Sequence, residues 1–268
     1  MPFFKIATWN VNSLRVRRSH VMNWVESNQP DLLALQETKL SDDDFPQDFL
    51  HEFHYQVIAS GEKSYNGVAF LSREKLDDIL VDIPGVLDPQ RRVLGGTYQD
   101  IRVINLYVPN GQNVLSTKYE YKLNWLKNIN LFLKAELLKY PKMIVLGDFN
   151  IAPAEIDVYN PKRWQGKVLF SLPERQAFQE IIDLGFQDCF RTLNPNQVEF
   201  SWWDYRLLAF QRNWGLRIDH ILVSEFLSSY CKTCFVDKVT RTWERPSDHV
   251  PVIAKFALYI NKIKVVKE

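Results

Sequence analysis

Lys142 to Pro153 reads Lys-Met-Ile-Val-Leu-Gly-Asp-Phe-Asn-Ile-Ala-Pro, and Asp148 and Asn150 are the residues in it that can do chemistry. A carboxylate and a carboxamide two positions apart in extended chain point to the same side, with Phe149 on the other. So placed, they can hold a hard cation, a water molecule or a phosphate oxygen between them. The plainer reading is an Asx-rich turn that closes a strand. The pattern recurs, however. Asn10, Glu37, Asp219, and Asp248 with His249 also sit at the ends of short apolar runs. Strand ends in layered α/β folds converge on one rim, where ligands bind. Glu37, Asp148 and Asp248, with the amides of Asn10 and Asn150, form an oxygen-rich set. Such a set suits Mg²⁺ or Mn²⁺; zinc would call for more His or Cys. For His249, Asp219 offers a carboxylate that could orient its imidazole.

The elements that must carry these residues follow from periodicity. Met143 to Leu146 is the continuous apolar run of a strand buried on both faces, broken by Gly147. Phe3 to Val11 and Asp31 to Glu37 read as further strands, with Asn10 and Asn12 at the far end of the first. Between them, Val16 to Ser27 has helical spacing and ends before Pro30. Tyr55–Ala59 and Gly67–Ser72 pair through a polar turn; Leu76–Ile83, Arg92–Tyr98 and Ile101–Val108 are also strands, the last meeting Pro109-Asn110-Gly111. Lys118 to Lys139 is the longest helix, its buried face marked by Trp125, Ile129, Phe132, Leu133 and Leu137. Leu172 to Leu184 starts a helix with Pro173 and Glu174 in its first turn. Ile218 to Val223 and Val250 to Leu258 complete the strands. With no linker or repeat in view, residues 1–268 are expected to form a single domain.

Composition limits the classes. The 33 basic and 32 acidic residues leave a net charge of +1, so any steering of a charged partner must come from local patches. A hydrophobic fraction of 46% and an aromatic fraction of 13% are ample for a large core. Cys189, Cys231 and Cys234 are too few and too odd in number for a disulfide framework, and Cys231-Lys-Thr-Cys234 lacks a second ligand pair, so they read as packing cysteines. The absence of a signal peptide or an apolar run near ~20 residues points to a soluble, cytoplasmic protein without a membrane partner.

Leu35-Gln-Glu-Thr-Lys39, Tyr107-Val-Pro-Asn110, Gly147-Asp-Phe-Asn150, Arg217-Ile-Asp219 and Pro246-Ser-Asp-His249 stand in one order along the chain. Together they resemble the exonuclease III/AP endonuclease family of the endonuclease/exonuclease/phosphatase superfamily, over Lys5 to Phe256. Arg91-Arg92, Phe200-Ser-Trp202 and Gly215-Leu-Arg-Ile-Asp219 resemble its DNA-repair branch. The resemblance implies a DNase I-like four-layer α/β sandwich, with two packed, mainly antiparallel sheets flanked by helices. It implies that Glu37 ligates the divalent metal, with Asn10 and Asp248 nearby and Asp148, Asn150 and His249 at the same centre. By the same resemblance Asp148 orients or deprotonates the attacking water, and Asn150 meets the scissile phosphate or the metal. Tyr107 lies beside the phosphate and leaving oxygen, and His249, paired with Asp219, contacts a phosphate oxygen. Arg91 and Asn110 would contact substrate, and Trp202, Leu216 and Ile218 match an apolar pocket for a flipped-out abasic sugar. The implied partner is duplex DNA with abasic sites or damaged 3′ ends, bound by a monomer.

Arg92, Arg163, Arg206 and Arg212 are further candidates for phosphate contacts. His220 and Trp203 depart from the family pattern: His220 carries no assigned role, and Trp203 places a second indole beside the pocket position. Two other readings compete. An inositol-phosphate or phospholipid phosphodiesterase on the same scaffold leaves Trp202 and the arginine-rich loop without a purpose. A DNA-binding module without catalysis leaves Glu37, Asp148, Asn150, Asp219 and His249 without one.

Overall fold

The apolar runs become strands because both of their faces are buried, with successive residues entering different layers. In β1 (Phe4–Asn10), Phe4 and Ile6 join one core cluster while Ala7 and Trp9 join another. The computed structural model describes residues 3–46 and 53–258. After β1 come α1 (Leu14–Asn28), β2 (Leu32–Gln36), β3 (Gln56–Ser60), β4 (Val68–Ser72), β5 (Leu76–Val81), β6 (Val93–Tyr98) and β7 (Ile101–Tyr107). Next are α2 (Thr117–Lys139), β8 (Met143–Asp148), α3 (Pro161–Trp164), α4 (Leu172–Ile182), β9 (Phe186–Asp188) and α5 (Cys189–Leu193). β10 (Trp202–Trp203), β11 (Gly215–Leu216), β12 (Asp219–Ser224), α6 (Glu225–Ser228), β13 (Cys231–Val236) and β14 (Val252–Phe256) complete the elements of the described residues.

Two six-stranded sheets have the orders β13-β14-β1-β2-β4-β3 and β5-β6-β7-β8-β12-β9. Each is antiparallel except for one central parallel pair, β1 with β2 and β7 with β8. A parallel pair needs a crossover, and α1 and α2 supply one for each sheet. The inward faces share a core that includes Phe4, Ile6, Leu32, Val103, Ile144 and Ile221. Trp24 and Val25 of α1 cover the outer face of the first sheet, and Trp125, Ile129 and Phe178 of α2 and α4 cover the second. Helix, sheet, sheet, helix is the expected sandwich, with mixed sheets.

This topology positions the site. The C-terminal ends of both parallel pairs open on the same rim, carrying Asn10 and Glu37 from one sheet and Tyr107 and Asp148 from the other. Antiparallel β12 begins there, with Asp219 in register opposite Asp148. Polar side chains tie the two sheets together just behind: Gln36 Nε2 donates to Asn105 Oδ1 at 2.7 Å, and Asn105 Nδ2 donates to the carbonyls of Leu35 and Ala69. Gly147 is forced by geometry. At φ 144°, a Cβ there would lie 1.9 Å from the Leu106 carbonyl oxygen on the paired strand. The three cysteines are free and buried, as packing residues should be.

Candidate active site

Asp148 is the hub. Its Oδ2 accepts from Asn10 Nδ2 at 2.8 Å and Asn150 Nδ2 at 3.1 Å, and its Oδ1 accepts from the Asn150 backbone N–H at 2.9 Å. Burial pushes its carboxyl up to about 7; the His249 charge opposes this, while Asp219 and Glu37 add to it. Asn150 and Glu37, the two residues that turn inward just past their strands, both adopt left-handed backbone, at φ 50° and 51°. Asparagine tolerates that region and glutamate rarely visits it, so the Glu37 turn is local strain held by its surroundings. Asn150 Oδ1 in turn accepts from Asn110 Nδ2 at 2.9 Å.

His249 is held on both sides. Nδ1 lies 2.9 Å from Asp219 Oδ2, and Nε2 faces Asp148 Oδ2 at 3.7 Å. Burial pulls its pKa down, but Asp219 and Asp148 outweigh this and raise it to about 10, so the ring is an imidazolium at neutral pH. Ser201 aims Asp219: its hydroxyl donates to Asp219 Oδ2 at 2.6 Å while accepting the backbone N–H groups of Ile218 and Asp219. Ser247 accepts from the His249 N–H and donates to the Asn10 carbonyl. Both serines belong to sequence motifs of the site, Phe200-Ser-Trp202 and Pro246-Ser-Asp-His249, but their aiming roles show only in the fold.

Glu37, Asp148 and His249 place ligand-capable atoms within 4.8 Å of one another. Two carboxylates flanked by carboxamides are the donor set of a hard, oxygen-preferring cation, so these residues fit a divalent metal of the Mg²⁺ type. Glu37 and Asp148 would hold it. The other expected ligands make these contacts within the chain. Asn10 uses its amide to donate to both Glu37 Oε1 and Asp148 Oδ2, while its oxygen accepts from the Asn12 N–H; it spaces the carboxylates. Asp248 lies outside the trio, accepting from Asn12 Nδ2 and Trp202 Nε1, each at 2.9 Å. His249 Nε2, 3.7 Å from Asp148 Oδ2, belongs to the same trio. Lys39 was also missed: its ammonium joins Glu37 Oε2 at 2.9 Å to Asn12 Oδ1 at 2.6 Å.

Tyr107 ends β7 with its phenol facing Glu37. Burial, then the Glu37 charge, keeps its pKa well above the usual value, so it stays a neutral donor. Arg92 braces it. The guanidinium lies 4.6 Å from the Tyr107 ring centre and donates to the Tyr107 carbonyl at 3.1 Å. Arg91 is ion-paired with Asp82 and Arg206 with Asp204. Arg163 and Arg212 instead lie over the Trp214 indole.

The expected apolar pocket differs from its sequence image. Leu216 and Ile218 are 0% and 1% exposed and pack with Ala152, Val158 and Phe170 beneath Trp202, so they underlie its indole instead of lining open space. Trp203 is core, against Phe200 and Phe210. His220 has a structural post: Nδ1 accepts from Arg217, and Nε2 donates to the Ile151 carbonyl at 2.9 Å.

A buried carboxyl hub, an imidazole held by Asp219 and a neutral phenol beside carboxylates that could hold a cation suit attack on a phosphate ester. Residues 7–249 match the model of the Endonuclease/Exonuclease/phosphatase family. The chain belongs to that family, whose members depend on a divalent metal. It is 36% identical to the exodeoxyribonuclease III of Haemophilus influenzae over 265 residues, 94% of this chain and 99% of the relative. Among solved structures it is similar to a 3′ phosphatase from Neisseria bound to product DNA hairpin, at 46% identity, TM-score 0.94 and coverage of 95% of this chain and 100% of that one. It is also similar to an AP endonuclease from Archaeoglobus fulgidus, at 37% identity and TM-score 0.92, with coverage of 95% and 100%.

Proposed function

We propose that the protein is a Mg²⁺-dependent DNA-repair phosphodiesterase that incises duplex DNA 5′ to abasic sites and cleans or resects 3′ ends. The observation that carries this reading is the convergence of Asp148, the Asp219–His249 pair and Glu37 at one strand-end rim. A phosphodiester resists attack because its own negative charge repels the nucleophile, so the site must neutralise charge and place water in line. Glu37 and Asp148 would hold a divalent cation, which would supply Lewis acidity toward the phosphate.

The chain's own groups do the rest. Asp148, with a pKa near neutrality, holds the attacking water and takes its proton. The His249 imidazolium donates to a non-bridging phosphate oxygen, and Asp219 and Ser201 keep it charged and aimed. Tyr107 donates its phenol proton to an adjacent phosphate oxygen, and Asn110 and Asn150 fix the backbone beside it. Trp202, hydrogen-bonded to Asp248, forms the wall that receives the damaged sugar.

Identity is higher to the Neisseria 3′ phosphatase than to the Archaeoglobus AP endonuclease, which favours a large share of 3′-end processing. One incubation tests the reading. A duplex with a single abasic site and a second with a 3′-phosphate are treated with enzyme in Mg²⁺ and in EDTA, and product ends are resolved on a gel. Cleavage of either in Mg²⁺ and none in EDTA is expected; cleavage of neither overturns the proposal.

A further inference from the structure

Trp202 is one wall of a cavity of about 550 Å³. That is within the ~300–1,000 Å³ of small-molecule sites and more than a bare deoxyribose fills. Tyr159, Trp164 and Trp214 line it with Trp202, as do Arg163, Lys167 and the mutually paired Asp204 and Arg206. Tyr159 and Trp214 stack with ring centres 5.7 Å apart and planes 15° from parallel. The Arg163 and Arg212 guanidinium carbons lie 5.9 and 4.7 Å from the Trp214 ring centre. Among the described residues, Arg163, Arg212 and Lys167 have no carboxylate partner, in contrast to Arg91, Arg102, Arg206 and Arg217. The guanidiniums are thus held by stacking, with their donors unspent.

Resting on the phosphodiesterase reading above, we infer that this cavity is a subsite for an unpaired nucleotide that still carries its base. Aromatic walls with free cations beside them are what single-stranded nucleic acid uses: the base stacks and its phosphate is neutralised, whatever the sequence. Trp202 joins the subsite to the reacting centre, since its indole N–H binds Asp248 and its backbone bridges to His249. A bare abasic sugar needs only the Trp202 end of this space. A frayed or mispaired 3′-terminal nucleotide would fill it, with the base toward Tyr159 and Trp214 and a backbone phosphate on Arg163 or Lys167. The subsite therefore sets the preference among 3′ ends: it favours removal of base-bearing nucleotides and does nothing for a 3′-phosphate.

The test compares two duplexes with recessed 3′ ends, one ending in a mispaired 2-aminopurine nucleotide and the other in a 3′-phosphate. Trp214→Ala should lower kcat/KM on the mispaired end about ten- to a hundredfold and leave phosphate removal within about twofold. Arg163→Ala changes an exposed side chain and should show the same selectivity, severalfold in size. In EDTA, where no turnover is needed, binding of the parent protein should quench the aminopurine emission, and Trp214→Ala should abolish the quenching. Equal losses on both ends, no loss on the mispaired end, or quenching unchanged by Trp214→Ala overturns the inference. A parent protein that cleaves neither end overturns the phosphodiesterase reading instead, and the emission measurement still decides the subsite.

Discussion

Lys122, fully buried on α2, donates its ammonium to the carbonyl oxygen of Asn150 at 2.7 Å. The same ammonium reaches the Asn110 carbonyl at 3.2 Å and Glu174 Oε1 at 2.6 Å. One position further along, His220 holds the Ile151 carbonyl. Two buried side chains thus pin consecutive carbonyls of the turn that brings Asn150 back to Asp148. Glu174 extends the link, accepting from the N–H groups of Leu169 and Ser171 at the start of α4. Burial pulls the Lys122 pKa down, and Glu174 and Asp148 oppose that pull.

Lys122→Met should therefore damage both stability and turnover. Removing one partner strands a buried Glu174 carboxylate, a loss of about 3–5 kcal/mol on denaturant unfolding. Replacing both, as Lys122→Met with Glu174→Gln, should restore much of the stability but not kcat, because the Asn110 and Asn150 carbonyls stay unpinned. Recovery of kcat along with stability would make the lysine a fold residue alone.

Glu37→Gln keeps the side-chain shape and removes one charge from the cation-binding pair. The Mg²⁺ concentration for half-maximal activity should rise about tenfold or more, and excess Mg²⁺ should partly restore turnover. A metal titration identical to the parent's would remove Glu37 from the ligand set.

The pH profile of kcat/KM should be bell-shaped. Asp148 works as the carboxylate, so its limb rises through about pH 7 when metal is scarce, and should move to lower pH as Mg²⁺ is raised. His249 works as the imidazolium, so activity should fall as pH passes about 10. Because the folded state raises the His249 pKa above the ordinary 6.5, its contribution to stability is complete below pH 6.5 and fades as pH climbs toward 10. Asp219→Asn removes the largest support for that charge, and the alkaline limb should shift down. An alkaline limb unmoved in Asp219→Asn would assign it to another group.

Much of this centre was legible because its residues end apolar runs. Glu37, Asp148, Asp219 and His249 could be found without coordinates, and the helix faces of α1 and α2 follow from spacing alone. Strand direction was not legible: an apolar run of six residues buries equally well in a parallel or an antiparallel pair, and the resemblance supplied that part. What an amide does is set by its neighbours in space: the sequence puts Asn10 at a strand end, and only the fold shows its Nδ2 between the Glu37 and Asp148 carboxylates. Arg92 reads in sequence as a candidate phosphate contact, and its burial against Tyr107 depends on the pairing of β6 with β7. Lys122 gave a signal that went unread: it shares the helical stripe of Tyr119, Leu126 and Ile129, where an unpaired lysine could not be buried.

The most direct measurement is made on Asp148→Asn, with DNA binding and single-turnover cleavage followed on one abasic duplex at fixed Mg²⁺ and salt. Asparagine cannot take the proton of the attacking water, so the cleavage rate should fall by about 10²–10⁴-fold while Kd stays within about threefold. Cleavage at the parent rate, or a loss that lies wholly in Kd, would contradict the assignment of Asp148 to the reacting water.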